Sequence, residues 1–144
     1  MAPQVKIIRM VDATNRAMNL GRGTSLRLVG PDDGARNVDV HVNYLNVDSG
    51  KGEYHYHKKA ENVYVVLDGL LEVTIEGERY LMGPGDVGFI PPGLRHWVGN
   101  AGDKVACLLE IYAPAGHDFN VVDPPESETD VERVVSERVH LGES

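Results

Sequence analysis

The sequence predicts an all-β protein, a β-sandwich or a β-barrel built as one domain. Short runs of β-branched and aromatic residues recur along the chain, closely spaced glycine and proline turns separate them, and no helical periodicity lies between them. The 144 residues are about the length of one domain and suffice to bury a core. The single cysteine, Cys107, rules out an internal disulfide and is predicted to be a buried thiol in an apolar strand.

The predicted strands follow from composition and alternation. In chain order they are residues 5–9, 25–29, 38–47, 63–67, 71–75, 80–82, 87–90 and 104–112. Segment 38–47, VDVHVNYLNV, alternates apolar and polar side chains, as in a strand with one buried face. Asp68-Gly69, Glu76-Gly77 and the Pro91-Pro92-Gly93 turn end three of the later strands.

The last residues of the chain carry a different pattern. Asp123 to Glu126 is predicted to be a linker, and Thr129 with Glu132 three residues later has the spacing of a capping box. The valines that follow share one helical face. We therefore expect a short amphipathic helix from about Asp130 to His140. Residues 1–144 are expected to form one domain, with the β core at about 24–113 and a tail at 114–144.

The charge balance restricts the possible partners. The formal net charge is −8 and the pI is about 5.1, whereas nucleic acids and anionic membranes attract basic surfaces. No apolar run reaches the roughly 18 residues of a membrane span, and the N-terminus is too polar for a signal peptide. We expect a cytoplasmic protein that binds a small molecule, with no nucleic acid or membrane partner.

Three histidines are the candidate metal ligands. His55 and His57 stand two residues apart, so in a strand both imidazoles project to the same face and can bind one ion. His96 follows the rigid turn at Pro91-Pro92-Gly93, which is a stiff support for a third ligand.

These two stretches resemble the two sequence motifs of the cupin superfamily. The second motif, G-x5-P-x-G-x2-H-x3-N, is matched by Gly85, Pro91, Gly93, His96 and Asn100. The first motif, G-x5-H-x-H-x(3,4)-E-x6-G, is matched in order by His55, His57 and Gly69, with its leading glycine one residue out of register at Gly50. The resemblance implies a cupin-type β-barrel of the jelly-roll kind, in a small single-domain cupin that forms a homodimer.

The acidic ligand of the first motif has two candidates. Counting four residues on from His57 and six back from Gly69 leads to Asn62, whereas Glu61 fits only the shorter spacing after His57. Strand alternation lets only one of the two face inward. With Gly69 fixed, Asn62 occupies the position and Glu61 faces out, but a local bulge would reverse the two.

The resemblance also implies the cofactor and the range of chemistry. Imidazole-rich sites suit one divalent transition metal ion, Zn, Fe, Ni or Mn. The expected function is a metal-dependent enzyme acting on a small organic molecule, by dioxygenation of a metal-chelated substrate or by Lewis-acid isomerisation or cyclisation. The alternative is a non-catalytic cupin that binds a sugar or an effector. His41 and Glu61 are the candidates for proton transfer, and His41 is also a candidate fourth ligand.

Overall fold

The computed structural model describes residues 2–131, which form twelve strands and three short 3-10 helices. The strands are β1 (Thr14–Ala17), β2 (Gly23–Val29), β3 (Asp39–Leu45), β4 (His55–Tyr56), β5 (Glu61–Asp68), β6 (Leu71–Ile75), β7 (Glu78–Met82), β8 (Val87–Ile90), β9 (His96–Asn100), β10 (Ala106–Ala113), β11 (Asn120–Val121) and β12 (Thr129–Asp130). The 3-10 helices are Met10–Asp12, Asn19–Gly21 and Pro31–Asp33. The strands predicted between residues 25 and 112 are confirmed.

The strands form two six-stranded sheets. The first sheet has the order β1-β2-β3-β10-β5-β8 and the second has the order β11-β4-β9-β6-β7-β12. Within residues 2–131 no strand pairing joins one sheet to the other. The closed barrel expected from the sequence is therefore wrong for this part of the chain, and the architecture is a sandwich. Its outer strands are only two to four residues long, too short to continue the ladder around the molecule.

The main core lies between the two sheets. Along β5 the side chains of Tyr64 and Val66 point inward and are 1% exposed, while the intervening residues are more accessible. They pack against Leu71 and Val73 of β6 and Leu108 of β10. A strand with period-two burial therefore supplies one wall of the core, and the same alternation orients the polar side chains nearer the strand ends.

A second apolar cluster covers the outer side of the first sheet. Leu26, Leu28, Val42 and Cys107 form it, with Met10 and Ala13 from the N-terminal segment packed against them. Cys107 is a buried free thiol, as expected. Because Cys107 belongs to this outer cluster, the next residues of β10 alternate across the sheet and bring position 110 to the inner side.

Two predicted elements differ from the structure. Residues 5–9 form no strand, since Val5 and Ile7 are 89% and 93% exposed and this segment pairs with no strand in the described chain. The predicted helix start is also wrong, because Thr129 and Asp130 form β12 and pair in parallel with β7. The remainder of that predicted helix lies outside the described residues. No helix in residues 2–131 has the length and apolar character needed to cross a membrane.

Candidate functional site

The structure brings the three predicted histidines together. Strands β4 and β9 pair antiparallel with His55 directly opposite His96, and their ring centroids are 4.4 Å apart. His57 follows β4, and its ring centroid lies 5.0 Å from that of His55 and 5.1 Å from that of His96. All three are buried, and each offers one ligand atom within 4.8 Å of the other two. This group, called the histidine triad below, could bind a metal ion.

The turn before His96 also supports His57. The backbone N–H of Gly93 donates to the carbonyl of His57 over 2.7 Å. Gly93 has a φ of +86°, a left-handed conformation that glycine adopts without the strain a side chain would impose. The Pro91-Pro92-Gly93 turn therefore helps to position two of the histidines: His96, which follows it in the chain, and His57, to which it is hydrogen-bonded.

Backbone carbonyls hold one nitrogen of each triad histidine. Nδ1 of His55 lies 2.8 Å from the carbonyl of Glu53, Nδ1 of His57 lies 2.6 Å from that of Asp118, and Nδ1 of His96 lies 2.8 Å from that of Leu94. A carbonyl only accepts hydrogen bonds, so each Nδ1 carries the hydrogen and each Nε2 presents a lone pair.

The free nitrogens fit a metal ion. Nε2 of His57 and Nε2 of His96 are buried without a hydrogen-bond partner in the described chain. Buried polar atoms without partners are rare and call for an explanation. Metal-bound histidines almost always donate the other ring N–H to a carbonyl or carboxylate, as these three do to carbonyls.

Burial keeps the triad in the form that binds metal. Burial, reinforced by the neighbouring imidazole of His96, lowers the pKa of His55 to about 3. Burial also lowers the pKa of His96. These two imidazoles are therefore neutral near pH 7, and only a neutral imidazole has a lone pair for a metal ion.

Asn62 and Glu61 lie on opposite sides of β5. The side chain of Asn62 is fully buried, its Nδ2 donates to the carbonyl of Ile111 over 3.3 Å, and its Oδ1 has no partner in the described chain. Glu61 is exposed. The irregularity in pairing between β5 and β10 falls at Leu67, so alternation is unbroken from Glu61 to Val66. The assignment of Asn62 as a metal ligand stays a prediction.

Sequence reasoning missed Glu110, which lies on the inner side of β10 and is 4% exposed. Its Oε2 accepts hydrogen bonds from His41 Nε2 at 3.0 Å and from Asn43 Nδ2, and its Oε1 accepts one from the Tyr112 hydroxyl at 3.2 Å. Strand register explains the meeting, because Glu110 lies opposite His41 on β3. The available signal was a single carboxylate in the apolar run of residues 105–112, VACLLEIY.

His41 and Glu110 form a hydrogen-bonded pair, which becomes an ion pair when His41 is protonated. Burial opposes the charge on each residue, but the hydrogen bond and the electrostatic attraction between them together outweigh it. As a result the pKa of His41 is raised and the pKa of Glu110 is lowered from their ordinary values. Glu110 is thus a carboxylate, and it fixes the Nε2–H form of His41. Nδ1 of His41 has no hydrogen-bond partner among residues 2–131.

The His41–Glu110 pair and two of the triad histidines, His55 and His57, line one cleft. Aromatic rings line it too, with Phe119 stacked on His55 at a centroid distance of 4.1 Å and Tyr112 edge-on to His57 at 4.7 Å. The polar and charged groups in the same wall include His41, Glu110, Asn43, Arg22 and Arg27. Two histidines of the triad and a pair that can carry a proton therefore border the same space.

Comparison with known proteins finds a family model and relatives that each match part of the chain. The model of the cupin domain matches residues 44–112. Glucose-6-phosphate isomerase of Pyrococcus abyssi is 44% identical over 78 residues, which are 50% of this chain and 41% of that protein. Quercetin 2,3-dioxygenase of Bacillus subtilis is 45% identical over 53 residues, 35% of this chain and 16% of that protein. The matched segments thus span less than half of these relatives.

A solved structure shows the same fold over most of the chain. The polyketide cyclase RemF from Streptomyces resistomycificus superposes with a TM-score of 0.72, covering 86% of this chain and 89% of that one, at 20% identity. At that identity the likeness concerns the fold alone. The family match and the histidines of both motifs, which form one buried group, show that residues 44–112 of this chain form a cupin domain.

Proposed function

We propose that this chain is a metal-dependent enzyme that moves a proton on a small molecule bearing a carbonyl group, in an isomerisation or a cyclisation. The observation that carries the proposal is the cleft that His55 and His57 of the histidine triad share with the His41–Glu110 pair. The match to glucose-6-phosphate isomerases supports this class of reaction for the matched segment.

The histidine triad would hold one divalent transition ion through the Nε2 atoms of His55, His57 and His96. Such an ion supplies Lewis acidity that polarises a carbonyl oxygen and makes the adjacent C–H more acidic. Three neutral imidazoles leave the ion's double positive charge intact, and the Glu110 carboxylate in the same cleft partly balances it.

The His41–Glu110 pair supplies the proton transfer. Glu110 accepts the hydrogen of His41 Nε2, so in the neutral imidazole the second nitrogen, Nδ1, carries the lone pair that can accept a proton from substrate carbon. The carboxylate stabilises the imidazolium that results, and the same nitrogen then returns the proton to a neighbouring carbon or oxygen. Glu110 thereby acts as a positioning residue and His41 as the general base and acid.

The first experiment tests the metal. We expect about one transition ion per chain in the wild type and loss of most of it in His57→Ala, measured by elemental analysis of dialysed protein. His117→Ala removes an exposed histidine outside the triad and is the matched control. Equal metal content in all three proteins would reject the triad as the metal site.

The second experiment tests the proton transfer. Metal-loaded protein is incubated in D2O with a panel of small hydroxy ketones and hydroxy aldehydes, and loss of the α-proton signal is followed by NMR. His41→Asn and Glu110→Gln should lose exchange by about a hundredfold or more while keeping the metal. Consumption of O2 unaffected by either variant would instead indicate dioxygenation, and ligand binding without exchange would indicate a binding cupin.

A further inference from the structure

Arg22 is an arginine in the cleft without an ion-pair partner. It follows the 3-10 helix Asn19–Gly21 and precedes β2. Of its five N–H groups, one is used when Nη2 donates to the carbonyl of Val98 over 3.2 Å. Nε is buried with no partner, and no carboxylate in residues 2–131 lies within 4.0 Å of the guanidinium.

The backbone is shaped to accommodate this guanidinium. A Cβ at Gly52 would lie 2.5 Å from Nη1 and 2.6 Å from Cζ of Arg22, so a side chain at position 52 would displace the guanidinium from this position. Gly52 also has a φ of +77°. The guanidinium is therefore held between Val98 of β9 and the chain that leads into His55. A side chain this confined keeps one orientation, whereas exposed arginines sample many.

The surroundings leave the charge only partly balanced. Burial lowers the pKa of Arg22, while Glu110, Tyr64 and Glu53 act on it through space. Arg22 is half-buried, and its Nε–H is a buried donor without a partner, a feature that calls for an explanation and that a bound ligand would supply. Planar N–H groups of arginine match the two oxygens of a carboxylate.

We propose that Arg22 binds an anionic carboxylate at one end of the substrate while the other end occupies the histidine triad. Resting on the proposed function, this inference narrows the substrate to small organic acids that carry a hydroxyl or carbonyl oxygen away from that carboxylate. The net charge of −8 repels anions from most of the surface. An unpaired arginine in the cleft attracts them locally, so an anion would bind there in preference to the rest of the protein.

The test uses malate and its 4-amide as probes. Both share the 2-hydroxy acid end, and they differ only in the charge of the remote group. Calorimetry on the metal-loaded protein should show malate binding about tenfold more tightly than the amide. The preference should vanish in Arg22→Gln. It should be partly kept in Arg22→Lys, which retains the positive charge but not the planar N–H groups of the guanidinium. Arg27→Gln is the matched control, since Arg27 lines the same cleft but is exposed.

A second readout works without metal. In protein labelled with 15N-arginine, the Nε–H signal of Arg22 is assigned by its loss in Arg22→Lys. Malate should shift it downfield in a saturable manner in both metal-free and metal-loaded protein. In metal-loaded protein, where the ion takes the 2-hydroxy acid end, the amide should not shift it. If the triad holds no metal, the shift with malate persists, so the two proposals fail separately. No saturable shift with malate, equal shifts with both probes in metal-loaded protein, an unchanged preference in Arg22→Gln, or an equal loss in Arg27→Gln would each overturn the role of Arg22.

Discussion

Gly69 and Gly85 make a matched pair for measuring how the fold constrains the motif glycines. Both have left-handed backbones, with φ of +83° and +84°. They differ in surroundings: a Cβ at Gly69 would lie 2.8 Å from both Cα and Cβ of Ala106, whereas a Cβ at Gly85 would meet nothing within 4 Å. Ala106 is fully buried in β10 and cannot withdraw without moving the sheet.

The expected losses of stability follow from the left-handed conformation of both glycines and from the close approach of Gly69 to Ala106. Gly85→Ala should lower the free energy of unfolding by about 1 kcal/mol, the cost of a left-handed alanine. Gly69→Ala bears the same cost plus that of forcing a methyl group into backbone contact, about 1–3 kcal/mol more. The total for Gly69→Ala is therefore about 2–4 kcal/mol. Urea denaturation of the three metal-free proteins at pH 7 gives both values. Equal losses in the two variants would show that the close approach to Ala106 relaxes freely and that conformation alone requires glycine.

Three further predictions concern the site and its surroundings. Asn62→Ala should change metal affinity by severalfold while Glu61→Ala leaves it unchanged, as measured by competition with a chelator; the reverse result would assign the ligand to Glu61. Asp118 accepts three backbone N–H groups of residues 58–60 at 2.7–3.0 Å, so Asp118→Ala should cost about 2–3 kcal/mol in urea denaturation, and a loss below 0.5 kcal/mol would show that solvent replaces it. The homodimer stays a prediction: Phe89 is 56% exposed on the outer side of β8, and if this face is the interface, Phe89→Asp should yield a monomer in sedimentation velocity where the wild type is a dimer.

The histidine triad could be predicted from sequence because its determinants are local. His55 and His57 share a face by period-two alternation. The rigid turn before His96 can be recognised from its two prolines and its glycine. The inward position of Asn62 agrees with the count of six residues back from Gly69. That count crosses the irregularity at Leu67, but alternation is unbroken from Glu61 to Val66.

The His41–Glu110 pair could not be predicted in the same way. The two residues are 69 positions apart, and they meet because β10 pairs with β3 in one register. Alternation places each on an inner or outer face but does not select the partner strand. Glu110 alone was indistinguishable from a solvated strand residue until that pairing supplied two of its donors, His41 and Asn43.

The C-terminal pattern failed for a related reason. The capping-box spacing from Thr129 indicates a helix that could begin there. A local pattern carries no information about the edge of β7, which is distant in sequence and available for pairing. In the structure Thr129 N–H donates to the carbonyl of Gly77 over 2.8 Å. An available sheet edge outcompeted the local helical preference at that position.

The main-chain support of the triad has a consequence for how this protein can diversify. Carbonyls of Glu53, Leu94 and Asp118 orient the three imidazoles, and a carbonyl is present whatever side chain its residue carries. Substitutions at these three positions therefore leave the hydrogen bonds available as long as the backbone keeps its path. Substitutions of the residues that line the cleft can change which molecules bind there without removing the three histidines. A lineage that inherits such a centre can exchange one substrate for another through single substitutions, each of which leaves the histidine triad in place.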